Sequence, residues 1–314
     1  MPPEIVPPHA DFGVQNRASS SGAAASADID HRTLNAGLDA LQSHVEVPVP
    51  WWHRAGRSVW PPVVVVALLL LLWQGVSLVQ NRPDLYPGPL DAATALSHSW
   101  NSGALTLAIS TSMQRGVVGF LIAIAIGTPL GLLLAEFRVL RRALGPLISG
   151  LQVLPSVAWV PAAIIWFGLS DASVYFVVLM GAVPSITNGL IAGVDQVPPQ
   201  FGRVGTVLGA SRRQLALLVV LPAALPGYFS GLKQGWAFSW RSLMAAEIIA
   251  TGGSIGFGLG SLLDQGRQLA DLASVLATIV VILGLGILVE LLVFAPIERR
   301  ILRGRGLLTA GGAR

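Results

Sequence analysis

Three charged side chains, Lys233, Arg241 and Glu247, fall inside one apolar stretch of the sequence at about 223–250. A charge near the middle of a membrane-crossing helix costs roughly 2.5 to 3.5 kcal/mol on insertion scales, so such a residue faces a cavity or an opposite charge. Lys233 stands near one end of the stretch and can extend its ammonium to the water layer. Arg241, flanked by Trp236 and Trp240, has two readings. Its guanidinium matches the geometry of an oxyanion such as a carboxylate, and would hold one on a path through the membrane. Alternatively it pairs with Glu247 and holds the helix in place. Trp159, Trp166, Gln152 and Asn188 are further amphipathic or polar residues in apolar surroundings, each able to line a path or to bridge helices.

Residues for bond-making chemistry are missing from the sequence. The run GGSIGFGLG at 252–260 looks like a phosphate loop but follows no strand pattern and lacks the G-K-[ST] ending. It reads better as a glycine-rich re-entrant turn closing an outer mouth. His9, His31 and His53 lie near the N-terminus, and His44 and His98 have no partner at metal-ligand spacing. There are no cysteines. With no Ser/His/Asp set and no clustered carboxylate pair in the apolar stretches, the expectation is no catalytic residue, no metal ligand and no bound cofactor.

The elements that must position these residues are membrane helices. The chain of 314 residues is 53% hydrophobic and 11% charged, with a mean hydropathy of +0.67, a composition outside the soluble class. Six stretches are apolar enough to cross a hydrocarbon core of about 30 Å: 62–79, 115–137, 147–168, 173–194, 223–250 and 272–295. Arginines cluster at their ends, at Arg54 and Arg57, at Arg138, Arg141 and Arg142, at Arg203, Arg212 and Arg213, and from Arg299 to Arg305. Six spans put every cluster on one face, so the positive-inside rule places both termini in the cytoplasm. The basic pI is therefore that of a membrane protein and does not imply nucleic-acid binding. Residues 1–58, rich in Pro, Ala, Ser and Asp, read as a disordered cytoplasmic tail, 59–300 as the transmembrane domain and 301–314 as a C-terminal cytoplasmic tail. After the first stretch, NRPDLYPGPLDAATALSHSWNSG reads as a polar Pro/Gly turn followed by a short segment that lies along the outer interface as a helix. Pro129, Pro155, Pro161 and Pro184, with many glycines, imply kinked helices that pack tightly or line a cavity.

Between the fourth and fifth spans lies VGTVLGASRRQLALLVVLPAALP, at 204–226. Pro198 and Pro199 favour the start of a short helix, Gly209 permits a sharp turn, and Pro222 and Pro226 restart the chain into the fifth span. Gly209, Val219, Leu221 and Pro222 fit the skeleton G-x9-I-x-L-P, and the loop resembles the EAA loop of permease subunits of bacterial ABC importers. LPSVAWVPAAIIWFGL at 154–169, GASRRQLALLVVLPAALPGYFSGLK at 209–233 and WRSLMAAEIIATGGSIGFGLG at 240–260 each resemble the nitrate, taurine and aliphatic sulfonate group of those permeases. The resemblance spans about 105–300.

It implies an all-α integral membrane protein with type I ABC importer permease architecture, in a bacterial cytoplasmic membrane. It implies a homodimer with the path at the two-fold, two copies of a separate ATP-binding subunit carrying ATP and Mg, and a periplasmic or lipid-anchored solute-binding protein. The coupling loop, 195–222, would engage the ATPase through Arg203, Val204, Gly205, Leu208, Gly209, Ala210, Ser211, Arg212, Leu221 and Pro222. The path candidates are Trp159, Asn188, Trp240, Arg241 and Glu247. One departure stands out: where the family's Glu-Ala-Ala triplet begins, this chain has Arg203, Val204 and Gly205. The expected cargo is a small oxyanion such as a sulfonate, taurine or nitrate. The alternatives are another small solute, an ion-driven secondary transporter and a membrane-embedded lipid enzyme.

Overall fold

The computed structural model describes residues 51–80, 82 and 84–305. Among these there is no strand, and the helices in chain order are α1 (Trp51–Gln80), α2 (Pro89–Asn101), α3 (Ala104–Glu136), α4 (Arg138–Val153), α5 (Val160–Phe167), α6 (Asp171–Asp195), α7 (Pro199–Val207), α8 (Arg212–Ile249), α9 (Leu259–Gln268) and α10 (Leu272–Arg303). Five of them, α1, α3, α6, α8 and α10, are long and apolar enough to cross a membrane. The tail expected at 1–58 falls mostly outside the described residues, but 51–58 form the first turns of α1, and 306–314 also lie outside them.

Several boundaries differ from the hydropathy reading: α8 begins at Arg212 where the fifth span was expected from about 223, and α10 runs to Arg303 where the sixth was expected to end near 295. The span expected to start near Arg115 begins at Ala104, because α3 carries its helix well beyond the apolar core of the stretch. The span expected at 147–168 is not one helix. Its halves, α4 and the segment Ser156–Phe167 that starts with a 3-10 turn and continues as α5, bend by 99°. Pro155 is the cause: it has no N–H to continue the α4 ladder, and it pushes Leu154 into an extended conformation. The broken segment is held by a 2.7 Å hydrogen bond between Ser242 Oγ of α8 and Ser156 Oγ.

The core is built around α6, and its contact with α8 is glycine on glycine. Gly189 and Gly193 of α6 face Gly231 and Gly227 of α8. A Cβ on Gly231 would lie 2.5 Å from the Cα of Gly189, and one on Gly227 would lie 2.5 Å from the Cα of Gly193. In lipid there is no hydrophobic drive between helices, so close backbone approach and the van der Waals contact it permits hold such pairs together. The α3 side of α6 uses the same device, with Gly127 against Ile186 and Gly131 against Leu190. On the α10 side Lys233 of α8 meets Glu290 and Glu298, each at 2.8 Å, so its ammonium is held between two carboxylates. Asp271 caps the start of α10; hydrogen bonds from the Ser274 hydroxyl and N–H hold its carboxyl below the usual carboxylate range.

At one end of the α6–α8 pair the helices are latched through a buried carboxylate. Glu247 is 0% exposed and accepts from Ser112 Oγ (2.7 Å), Arg115 Nη1 (3.1 Å) and Gly260 N–H (3.0 Å). Arg115, 4% exposed, also donates to Gly256 O and to Asp171 Oδ1 at 2.6 Å. Ser112 Oγ in turn accepts from Leu259 N–H. One cluster thus ties α3, the start of α6, the end of α8 and the glycine-rich loop before α9.

Two predictions follow from this packing. Gly231→Ala is expected to lower the thermal stability of the purified protein in detergent by about 1 to 3 kcal/mol, the usual effect of overpacking. Gly150→Ala, whose Cβ would meet nothing within 4 Å, should leave it unchanged; equal melting of the two variants would rule out the seam. For the latch, Arg115→Met leaves a buried carboxylate without its cation and is expected to cost about 3 to 5 kcal/mol. Adding Glu247→Gln should recover part of that loss, and a double variant no more stable than Arg115→Met would show that the charge pair is not what matters.

Candidate functional site

The loop between α6 and α8 folds as an elbow of two short helical pieces. Pro199 opens α7 at its first position, where the missing N–H is no loss. Gly209 closes it with φ +78°, and the two bonds from Gly209 N–H to Thr206 O and from Ala210 N–H to Gly205 O complete a Schellman turn. Ser211 then caps α8: Gln214 N–H donates to its Oγ at 3.4 Å, and its own N–H donates to Gln214 Oε1 at 2.8 Å. Gly205 is buried, and Leu215 packs so closely on it that a Cβ there would lie 2.7 Å from Leu215 Cδ2. A π-helical turn at Leu215–Val220 leads into Leu221 and Pro222.

The outer surface of this elbow is unpaired. Phe201, Val204, Val207 and Leu208 are exposed large apolar side chains. Arg203, Arg212 and Arg213 are exposed on the same elbow, and among the described residues none of the three forms an ion pair. Exposed apolar side chains together with three guanidinium groups on one short elbow suit a protein partner that offers apolar contact and acidic side chains.

The five path candidates separate in the structure. Glu247 does not line an open path, because it is fully buried in the latch. Nor does it pair with Arg241: its cation is Arg115, which the sequence marked only as the edge of a span. Six residues apart on a helix, 241 and 247 are rotated by about 240°, and so point away from each other. Trp240 is also turned inward; it stacks on Trp236 at 6.1 Å and packs beside Gly116 of α3 and Gly286 of α10. Trp159 meets Phe176 edge to face at 6.0 Å. Arg241 is exposed, with its Nε 3.4 Å from Ala237 O and its guanidinium 4.8 Å above the Phe238 ring.

Asn188 lies elsewhere, in a cavity of about 480 Å³ lined by residues of α4, α6 and α8 together with Gln196. Its Nδ2 donates to Gln152 Oε1 at 2.7 Å, and Gln152 Nε2 donates to Ser185 Oγ at 3.0 Å. Gln196, Ser230 and Gln234 also line it, as do the seam glycines Gly189, Gly227 and Gly231. No charged side chain does. Asn188 and Gln152 were legible as polar residues in apolar spans; Gln196, just past the end of α6, and Ser230 and Gln234 were not, although the four-residue spacing of Ser230 and Gln234 on α8 carried a signal.

Comparison with known proteins agrees with this architecture. Residues 127–303 match the family model described as the binding-protein-dependent transport system inner membrane component. The chain is 30% identical to a bicarbonate transport system permease of Synechococcus elongatus over 80% of its own length and 92% of the relative's. It is 29% identical to the taurine transport system permease of Escherichia coli, over 76% and 89% of the two lengths. It is also 29% identical to a nitrate import permease of Synechococcus elongatus, over 63% and 74%. In fold it resembles a chain of the MetNI methionine ABC transporter in an inward-facing conformation, with a TM-score of 0.54 at 19% identity over 63% of this chain and 96% of that one. With its multi-pass helical fold of the type I importer permease and a family match across more than half its length, the chain belongs to the binding-protein-dependent transport system inner membrane components, the permeases of ABC importers.

Proposed function

We propose that this chain is the membrane-spanning permease of an ATP-driven importer for a small anion, working in a bacterial cytoplasmic membrane as a two-fold dimer. The observation that carries this reading is the exposed elbow of α7 and the start of α8, with exposed apolar side chains and three unpaired arginines in a chain built of apolar spans. Two copies of a separate ATP-binding subunit dock on the elbows and hold ATP and Mg, so hydrolysis is the partner's chemistry and the permease itself is no enzyme. A solute-binding protein outside the membrane delivers the cargo. Because the Ser211 cap and the Gly205–Leu215 contact tie the elbow into α8, closure of the ATPase moves α8, and with it α6, as a rigid body. The spans thereby alternate between outward and inward access.

The anion reading draws on the taurine, nitrate and bicarbonate permeases among the relatives and on Arg241. A guanidinium exposed to lipid two turns inside a span is costly. In the dimer it faces the water-filled path at the two-fold, where a passing oxyanion is its counter-ion.

The first test is reconstitution of the permease with its own ATPase and binding protein in liposomes. Uptake of nitrate, taurine or bicarbonate should require ATP, and uptake that survives ATP depletion while following a proton or sodium gradient would overturn the reading. Arg241→Ala is expected to abolish uptake of the anion while the assembled complex still hydrolyses ATP; normal uptake by that variant removes Arg241 from the path. At the elbow, Arg203→Glu should weaken capture of the ATPase about 10-fold at low salt and flatten its salt dependence, as expected for a charge at the rim of an interface. Unchanged capture at every ionic strength would show that the ATPase offers no acid there.

A further inference from the structure

The exposed stripe of α8 does not have the composition of a lipid-facing surface. Ser230, Gln234, Ala237 and Arg241 recur at intervals of four, three and four residues, the repeat of a single helix face, and all four are exposed. The other exposed positions of this helix include Leu217, Leu218 and Leu225, which suit hydrocarbon. A hydroxyl and a carboxamide left without partners in lipid are costly, so the polar stripe faces water within the membrane.

The inner part of that stripe opens on the cavity of about 480 Å³. Its polar lining is wholly neutral: the carboxamides of Gln152, Asn188, Gln196 and Gln234 and the hydroxyl of Ser230. Gln152 and Asn188 are locked to each other and to Ser185. The side chains of Gln196, Ser230 and Gln234 take part in no hydrogen bond among the described residues, so their N–H and O–H groups are free for an occupant. The cavity sits beside the break in the α4–α5 span, and broken spans are where solute sites in transporters form.

The geometry points to this cavity as a station for the anion in transit, with Ser230 and Gln234 as its donors. Arg241 lies seven residues outward on the same face, about 10 Å along the helix axis. The fixed charge draws the anion into the path. The carboxamides and hydroxyl then replace part of its hydration shell without adding a second charge, so the ion is held weakly enough to leave. The volume leaves room for a small oxyanion and some of its water. This station rests on the anion-importer reading above, and adds to it the residues that select the cargo after the binding protein has released it.

The test uses the complete importer in liposomes, with nitrate, taurine and bicarbonate as the probes, and reads uptake per ATP hydrolysed. For an anion that the wild type carries, Gln234→Leu and Ser230→Ala are each expected to lower uptake about 10-fold, the scale of one hydrogen bond to a charged group. Both side chains lack protein partners, so thermal melting in detergent should match the wild type and separates this effect from misfolding. Gln234→Glu, nearly the same in shape but negative, should lower uptake further than Gln234→Leu. If all three variants carry the anion within about twofold of the wild type, the station is wrong while the importer reading stands. If Gln234→Glu carries it better than Gln234→Leu, the anion does not rest against Gln234 and the station is wrong. A wild-type importer that moves neither nitrate, nor bicarbonate, nor the zwitterionic sulfonate taurine overturns the oxyanion reading itself, and the station falls with it.

Discussion

The contact on which the rest of the structure depends is backbone against backbone, where Gly189 and Gly193 of α6 meet Gly231 and Gly227 of α8. Between helices in lipid, attraction comes from close packing and from the hydrogen bonds it allows, and glycine gives the closest approach. The seam has two consequences. Toward the ends of α8 and α3 it brings Glu247 within reach of Arg115 and Ser112. At the level of the seam itself, Gly189, Gly227 and Gly231 also help to line the cavity.

The latch shows how a costly group is made tolerable. A carboxylate with no exposure needs its full set of donors, and Glu247 draws them from α3 and from the first turn of α9. Arg115 needs acceptors in return and finds them on Glu247, Asp171 and Gly256. Gly258 and Gly260 permit this, since a Cβ on either would collide with Glu247. The glycine-rich run is therefore glycine-rich because a loop must pass over a buried carboxylate, a structural requirement with no bearing on phosphate.

What the sequence revealed and what it hid divide along the range of the interactions. The spans, the arginine clusters and the elbow were legible because hydropathy and turn chemistry are local. Gly209 at positive φ, Pro199 at a helix start and Pro155 at a helix break all act within a few residues. The partner of Glu247 was not legible. Arg115 lies 132 residues away in the chain, and nearness in sequence favoured Arg241, which helical rotation turns to another face. Trp240 was misplaced for a related reason: its neighbour Arg241 is exposed, but adjacent helix positions are about 100° apart, which carries Trp240 into the core. The glycine seam was partly legible, since residues 189 and 193, and 227, 231 and 235, are glycines four apart, the small-residue spacing of tightly packed membrane helices.

Arg203 shows why a motif can lose its charge and keep its shape. The geometry of the elbow rests on Gly205, which Leu215 covers, on Gly209 in the left-handed region, and on the reciprocal cap between Ser211 and Gln214. None of these contacts involves the side chain at 203, which is exposed and without an ion-pair partner among the described residues. Folding therefore places no demand on the sign of the charge there, and glutamate or arginine would leave the same turn intact. Beyond its share in the positive-inside bias, the constraint on that position comes from whatever the elbow touches. With Arg212 and Arg213 on the same exposed surface, the local potential is positive, and a partner that docks on it must offer acids or accept a like-charge penalty. The exchange of acid for base at 203 is thus a property of the interface, and it can change with the partner while α7 and α8 stay as they are.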